Sequence, residues 1–153
     1  MGQRILVVCK GNICRSPIAT EILRARGDGE LEIRSRGTEA YHIGKIAHPD
    51  ASNAARERGY DISNHRAAQL DIADVQWADV VLVMDEENFK RLGELLPVPV
   101  WERKVIFLGE FLTPPSRNIV DPYKQPFDEF RKCVTQVEKA CLAFLQHVQA
   151  LAV

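Results

Sequence analysis

The sequence predicts an open α/β fold: a single-domain, mostly four-stranded parallel sheet with helices on both faces. Two short apolar runs carry this prediction. Residues 4–8 (RILVV) and 79–84 (DVVLVM) are nearly continuous in hydrophobic side chains, the pattern of parallel strands covered on both sides. The stretches between and after them have a helical period, and strands that alternate with helices pack as parallel sheets.

Taken in order, the first strand ends on Cys9. Pro17 then opens a helix that turns Ile18, Ile22 and Ala25 to one face and stops at Gly27. Residues 31–35 form a second strand, and a loop over 36–47 leads to a helix with Pro49 in its first turn and Gly59 as terminator. After the third strand, Asp85 caps a helix that runs to Leu96 and is ended by Pro97 and Pro99. Residues 105–108 supply a fourth strand. A proline-rich loop, TPPSRNIVDPYKQP, precedes a last helix over about 126–150, whose apolar positions include Phe130, Val137, Cys141 and Phe144.

Composition narrows the function. Twenty basic and twenty-one acidic residues leave a net charge of −1, which argues against an extended nucleic-acid footprint. No apolar run approaches the roughly 18 residues of a membrane span, so no membrane insertion is expected. The run over 5–8 is too short for a signal-peptide core, and Leu6 breaks the myristoylation pattern after Gly2. The expected location is cytoplasmic, and residues 1–153 are expected to form one domain. In that compartment the four cysteines are free or catalytic, and no His, Cys or Asp cluster has metal-ligand spacing. Neither a metal nor a cofactor is expected.

The chemistry concentrates in residues 8–17, VCKGNICRSP, a strand end, a tight loop and a helix start. Such a loop converges backbone N–H groups on one point and adds the positive end of a helix dipole. Gly11 and Asn12 are the residue types that accept left-handed backbone angles. The Walker A and dinucleotide-binding patterns are both absent. Instead Cys9 opens the cradle and Arg15 closes it, a nucleophile and a bidentate phosphate clamp on one loop. That pairing points to phosphoryl transfer through a cysteinyl-phosphate. A buried strand-end cysteine is the plainer reading of Cys9 alone, but the C-x5-R-S spacing outweighs it.

CKGNICRSP resembles the signature of the low-molecular-weight protein tyrosine phosphatases. The similarity extends along the chain through SRGT at 35–38, HRAAQL at 65–70, VMDEEN at 83–88 and DPY at 121–123. The resemblance implies a flavodoxin-like, phosphatase I type fold and a set of roles. Cys9 is the nucleophile, Arg15 binds the phosphate, and Asp121 is the general acid and then the base. Lys10, Gly11, Ile13 and Cys14 complete the phosphate loop. Ser16 donates to the Cys9 sulfur, besides any helix-capping role, and Asn12 adopts the left-handed conformation with His65 as its hydrogen-bond partner. A plain surface role for His65 competes equally.

By the same resemblance, Tyr41 and Tyr123 are expected to flank the ring of a phosphotyrosine substrate. Ile13 favours the same substrate, because related arginine phosphatases tend to carry a smaller threonine there. The resemblance further implies that Cys14 can form a reversible disulfide with Cys9, which protects the nucleophile from irreversible oxidation. Asp85 reads as a cap or loop anchor rather than a catalyst. After DPY the chain departs from many relatives with Lys124-Gln125-Pro126, which brings a positive charge to the substrate's flank.

The resemblance also implies partners: a phosphotyrosine protein, with an autophosphorylating tyrosine kinase of exopolysaccharide or capsule production as one candidate, and inorganic phosphate as product. The alternatives are a protein-arginine phosphatase, a redox sensor or phosphate-binding protein without turnover, and an arsenate reductase. The last needs relay cysteines in mid-chain, and residues 15–132 contain none.

Overall fold

The computed structural model describes residues 3–97 and 101–151. Its elements follow the alternation read from the sequence: β1 (Arg4–Cys9), α1 (Arg15–Arg26), β2 (Glu32–Gly37), α2 (Pro49–Glu57), α3 (Ile72–Trp77), β3 (Val80–Val83), α4 (Glu86–Leu95), β4 (Val105–Phe107) and α5 (Phe127–Leu151). Among the described residues one four-stranded sheet forms, in the order β2-β1-β3-β4, with every pairing parallel.

The apolar runs become the central strands because both of their faces are covered. Ile5, Val7 and Cys9 join the core built with α1, α2 and α5, whereas Leu6 and Val8 face the core built with α3 and α4. β3 divides the same way, Leu82 to the first core and Val81 and Val83 to the second. Ile5 through Val8 are wholly buried, so each side chain contributes about 1.5–3 kcal/mol of transfer free energy as an upper estimate. α5 supplies Phe130, Val134, Val137, Cys141 and Phe144 to the first core from one face, as its periodicity implies.

Local chemistry sets the boundaries. Asp85 caps α4 by accepting the Asn88 N–H at 2.7 Å, the capping expected for it. Gly59, at φ +88°, follows α2 in a left-handed conformation that suits glycine. α1 begins at Arg15 rather than Pro17, since Pro17 needs no donor within the first helical turn. β2 runs two residues past the expected end, because Arg36 and Gly37 pair with Val8 and Cys9. α4 ends before Pro97, and Pro99 lies outside the described residues.

α3 has no counterpart in the sequence reading. Its six residues are too few to display a period, and a capping box between Asp71 and Asp74 starts it. Asp74 is buried because it also pairs with Arg34 and Arg36 of β2, at 3.2 and 3.1 Å.

β1 connects to β2 on one side of the sheet, and the chain then returns to β3 on its other side. The carboxyl end of β1 therefore lies where the strand order reverses, the place where ligands bind in open parallel sheets. Cys9 sits there.

Candidate active site

Residues 10–14 link β1 to α1, and the single non-glycine residue of that loop with positive φ is Asn12, at +59°. Its side chain fixes the conformation. Oδ1 accepts the Ala68 N–H at 2.9 Å, and Nδ2 donates to Ser16 Oγ and Ser35 Oγ, each at 2.7 Å. The Asn12 carbonyl meets His65 Nε2 at 2.5 Å, so His65 is tied to the loop rather than left at the surface. Gly11 is corrected relative to the sequence reading: it takes no left-handed angle, and its lack of a side chain provides space. A Cβ there would lie 2.9 Å from His42 Cδ2. Gly37 meets the loop from β2, where a Cβ would stand 2.9 Å from the Lys10 carbonyl oxygen.

This arrangement directs two donors at Cys9. The Asn12 N–H points to its sulfur at 3.3 Å, and Ser16 Oγ lies 2.9 Å from it. Because Ser16 Oγ already accepts from Asn12 Nδ2, its own proton is free to point at the sulfur. Two donors fixed on one sulfur match the negative charge that a cysteine carries as nucleophile and as leaving group. The neighbouring thiols are held protonated. Burial, then the charges of Cys9, Asp121 and Cys133, push the Cys14 thiol far up, and burial pushes Cys133 to about 12.

Arg15 is 1% exposed and held along one edge. Its Nη1 donates to Asp85 Oδ2 at 2.6 Å and to the Ile119 carbonyl at 2.8 Å. Asp85 is thus both a cap and an anchor for the guanidinium. The opposite edge carries Nε, which is buried without a protein partner among the described residues, and Nη2, 3.5 Å from Asp121 Oδ2. That edge is the fork that matches two oxygens of a phosphate. Burial works against the charge of Arg15, but Cys9, Asp121 and Asp85 outweigh it and raise its pKa.

Asp121 comes from the proline-rich loop, which Ile119 ties down. The Ile119 N–H bonds the Met84 carbonyl at 2.8 Å, and its own carbonyl receives Arg15. Asp121 Oδ1 accepts the Tyr123 N–H at 3.1 Å, which leaves Oδ2 towards Arg15.

These groups surround a cavity of about 430 Å³ lined by Cys9, Lys10, Gly11, Ile13, Cys14, Tyr41, Asp121 and Tyr123, and also by His42 and Lys124. Asn12, Arg15, Ser16 and His65 are not among its lining residues; Asn12, Ser16 and His65 act through the hydrogen bonds that shape the loop. Tyr41 is 65% exposed at the rim. His42, which the sequence reading did not single out, lies between the two tyrosines, with its ring 6.2 Å from Tyr41 and 5.7 Å from Tyr123. Its signal was present in hindsight: a polar ring next to the aromatic assigned to the rim. Lys124 takes φ +66° and brings its ammonium 5.7 Å from the Tyr123 ring. All four cysteines are free, and no cluster of potential metal ligands occurs among the described residues. No described helix is long and apolar enough to cross a membrane.

His65 makes the loop sensitive to pH. Burial lowers its pKa, opposed by the Asn12 hydrogen bond, and Arg24, Arg66 and Arg36 lower it further. Above the ordinary imidazole range both folded and unfolded chains hold it neutral. As pH falls through about 6.5, the unfolded chain takes a proton that the folded chain resists, and stability declines. His65→Gln is expected to flatten the stability curve between about pH 7 and pH 5, measured by urea unfolding. An unchanged slope would show that other groups carry the dependence.

An α/β sheet that ends its first strand in a thiol, an anion-sized loop and an arginine fork defines a protein built to hold a tetrahedral oxyanion against sulfur. The chain belongs to the low molecular weight phosphotyrosine protein phosphatase family, whose model matches residues 4–152. It is 35% identical over 151 residues to the probable low molecular weight protein-tyrosine-phosphatase EpsP of Ralstonia nicotianae, covering 99% of both chains. Among solved structures it resembles Wzb of Vibrio vulnificus in complex with benzylphosphonate. That likeness has a TM-score of 0.87 and 30% identity, over 96% of this chain and 99% of the other. It also resembles the YwlE arginine phosphatase of Geobacillus stearothermophilus, with a TM-score of 0.86 and 28% identity, over 97% of this chain and 94% of the other.

Proposed function

We propose that residues 1–153 act as one catalytic domain that hydrolyses phosphotyrosine in proteins, with Cys9 as nucleophile. The observation that carries this reading is a cavity lined by Cys9 and Asp121 together, with the free edge of Arg15 reaching within 3.5 Å of Asp121 Oδ2. In the first step Cys9 Sγ attacks phosphorus in line. The S–P bond forms as the bond from phosphorus to the phenolic oxygen breaks, and protonated Asp121 gives its proton to the departing oxygen. The loop amides and Arg15 hold the three equatorial oxygens, whose charge they match in the transition state. In the second step the Asp121 carboxylate takes a proton from water. The water oxygen attacks phosphorus, the S–P bond breaks, and phosphate and the Cys9 thiolate are released.

Tyrosine selectivity rests on the walls. Tyr41, His42 and Tyr123 frame a slot for a planar ring. Benzylphosphonate, bound by the Vibrio vulnificus relative, is an aryl ligand of this kind. Ile13 lines the cavity, and its side chain is bulkier there than the threonine that related arginine phosphatases tend to carry. Ile13→Thr is expected to raise the ratio of phosphoarginine to phosphotyrosine turnover about tenfold, the value of one to two methyl groups of packing. The test of the whole reading is hydrolysis of a panel of phosphotyrosine, phosphoserine and phosphoarginine peptides. Phosphotyrosine should dominate, and phosphoarginine as the preferred substrate would transfer the protein to the arginine phosphatases. An unchanged ratio in Ile13→Thr would remove that residue from specificity.

A cytoplasmic location, a tyrosine kinase partner in exopolysaccharide production and a protective Cys9–Cys14 disulfide extend the proposal. The second and third are supported by the family resemblance.

A further inference from the structure

Behind the phosphate loop, on the side away from the substrate cavity, lies a second and polar pocket of about 510 Å³ between α1, β2 and the 61–66 segment. Four arginines line it, Arg24, Arg34, Arg36 and Arg66. Arg34 and Arg36 are both committed to Asp74. Arg24 and Arg66 donate only to backbone carbonyls, those of Ile33, Ser63 and His65, and neither pairs with a carboxylate within 4.0 Å among the described residues. Glu21 and Asp61 also contribute to the wall; neither lies within 4.0 Å of a guanidinium among the described residues, and the four arginines outnumber these two acids even with Asp74 paired to Arg34 and Arg36. Thr20, 3% exposed, belongs to the lining, and its hydroxyl has no hydrogen-bond partner among the described residues.

Guanidinium groups without carboxylate partners, gathered at a concave polar surface with an unused hydroxyl, have the chemistry of a phosphate site. The pocket also includes Ser35 and His65. Those two residues hold Asn12 in its left-handed conformation, Ser35 through Nδ2 and His65 through the carbonyl. An anion drawn to Arg66 would therefore press on the residues that shape the catalytic loop from behind.

We propose that this pocket is a second anion site, which takes a compact polyanion bearing phosphate groups and adjusts turnover through His65 and Asn12. The binding stands on the pocket alone; the effect on turnover rests on the phosphatase reading. Tripolyphosphate is the probe. Calorimetric titration at fixed ionic strength should find two sites in the native protein and one in the Arg24→Gln/Arg66→Gln variant. At saturating para-nitrophenyl phosphate, where substrate has displaced anion from the catalytic cavity, tripolyphosphate should change kcat at least twofold in the native protein only. The variant's kcat without tripolyphosphate is the reference for its own response, because Arg66 also donates to the His65 carbonyl. A single site in both proteins, or two sites in both, overturns the assignment. Loss of a site without any effect on kcat overturns the coupling. Two sites in a protein with no turnover would count against the phosphatase reading and leave the binding result standing.

Discussion

Replacing Cys9 with serine is expected to lower kcat for para-nitrophenyl phosphate by roughly 10⁴-fold or more, the scale seen when a covalent nucleophile is removed. The hydroxyl keeps its proton at neutral pH and cannot form the thiophosphate bond. Binding of inorganic phosphate should change little, because Arg15 and the loop amides remain. Arg15 is held from its other edge by Asp85 and Ile119, not by Cys9. Steady-state kinetics and phosphate titration check the two halves. Retained turnover would remove Cys9 from the reaction, and loss of phosphate binding would mean that the sulfur shapes the cradle.

Asp121→Asn carries the second large effect, and its signature lies in the leaving group. A positioned general acid contributes about 10²–10⁴-fold. The loss should approach that range in kcat/KM for phenyl phosphate, whose oxygen needs a proton to depart. It should shrink to a few-fold for aryl phosphates with strongly electron-withdrawing rings. The value of kcat should fall for all of them, because hydrolysis of the phosphoenzyme needs the same carboxylate as base. A uniform loss in kcat/KM across the series would assign Asp121 to holding Arg15 rather than to proton transfer, a role its 3.5 Å contact with Nη2 could also serve.

The sheet was legible because buried parallel strands leave an unmistakable trace: residues 5–8 and 81–83 are apolar on both faces, and both faces are covered. α3 was not legible. Six residues make less than two turns, and its cohesion comes from Asp74 reaching across to β2, a contact between residues 38 and 40 positions apart. The loop was read nearly completely, since a nucleophile, an anion cradle and a clamp occupy consecutive positions. How the loop is held was read only in part: the resemblance named His65 for Asn12, and Asp85 was read as a cap or anchor, but the hold of Ser35 and Ala68 on Asn12 and the pairing of Asp85 with Arg15 appear only in the fold. Gly11 shows the same limit from the other side. Its residue type is explained by His42, thirty-one positions away, rather than by its own backbone angle. His42 adjoins Tyr41 in the chain, but only folding brings it beside Tyr123 as well.

The central claim is covalent: phosphate passes through sulfur at Cys9. Acid quenching of the Asp121→Asn variant during turnover of an aryl phosphate, followed by mass analysis of its peptides, reads that claim directly. With the base for the second step removed, one phosphoryl group should accumulate on the peptide that contains Cys9. Phenol release without any phosphorylated peptide, or phosphate found on another residue, would contradict the account.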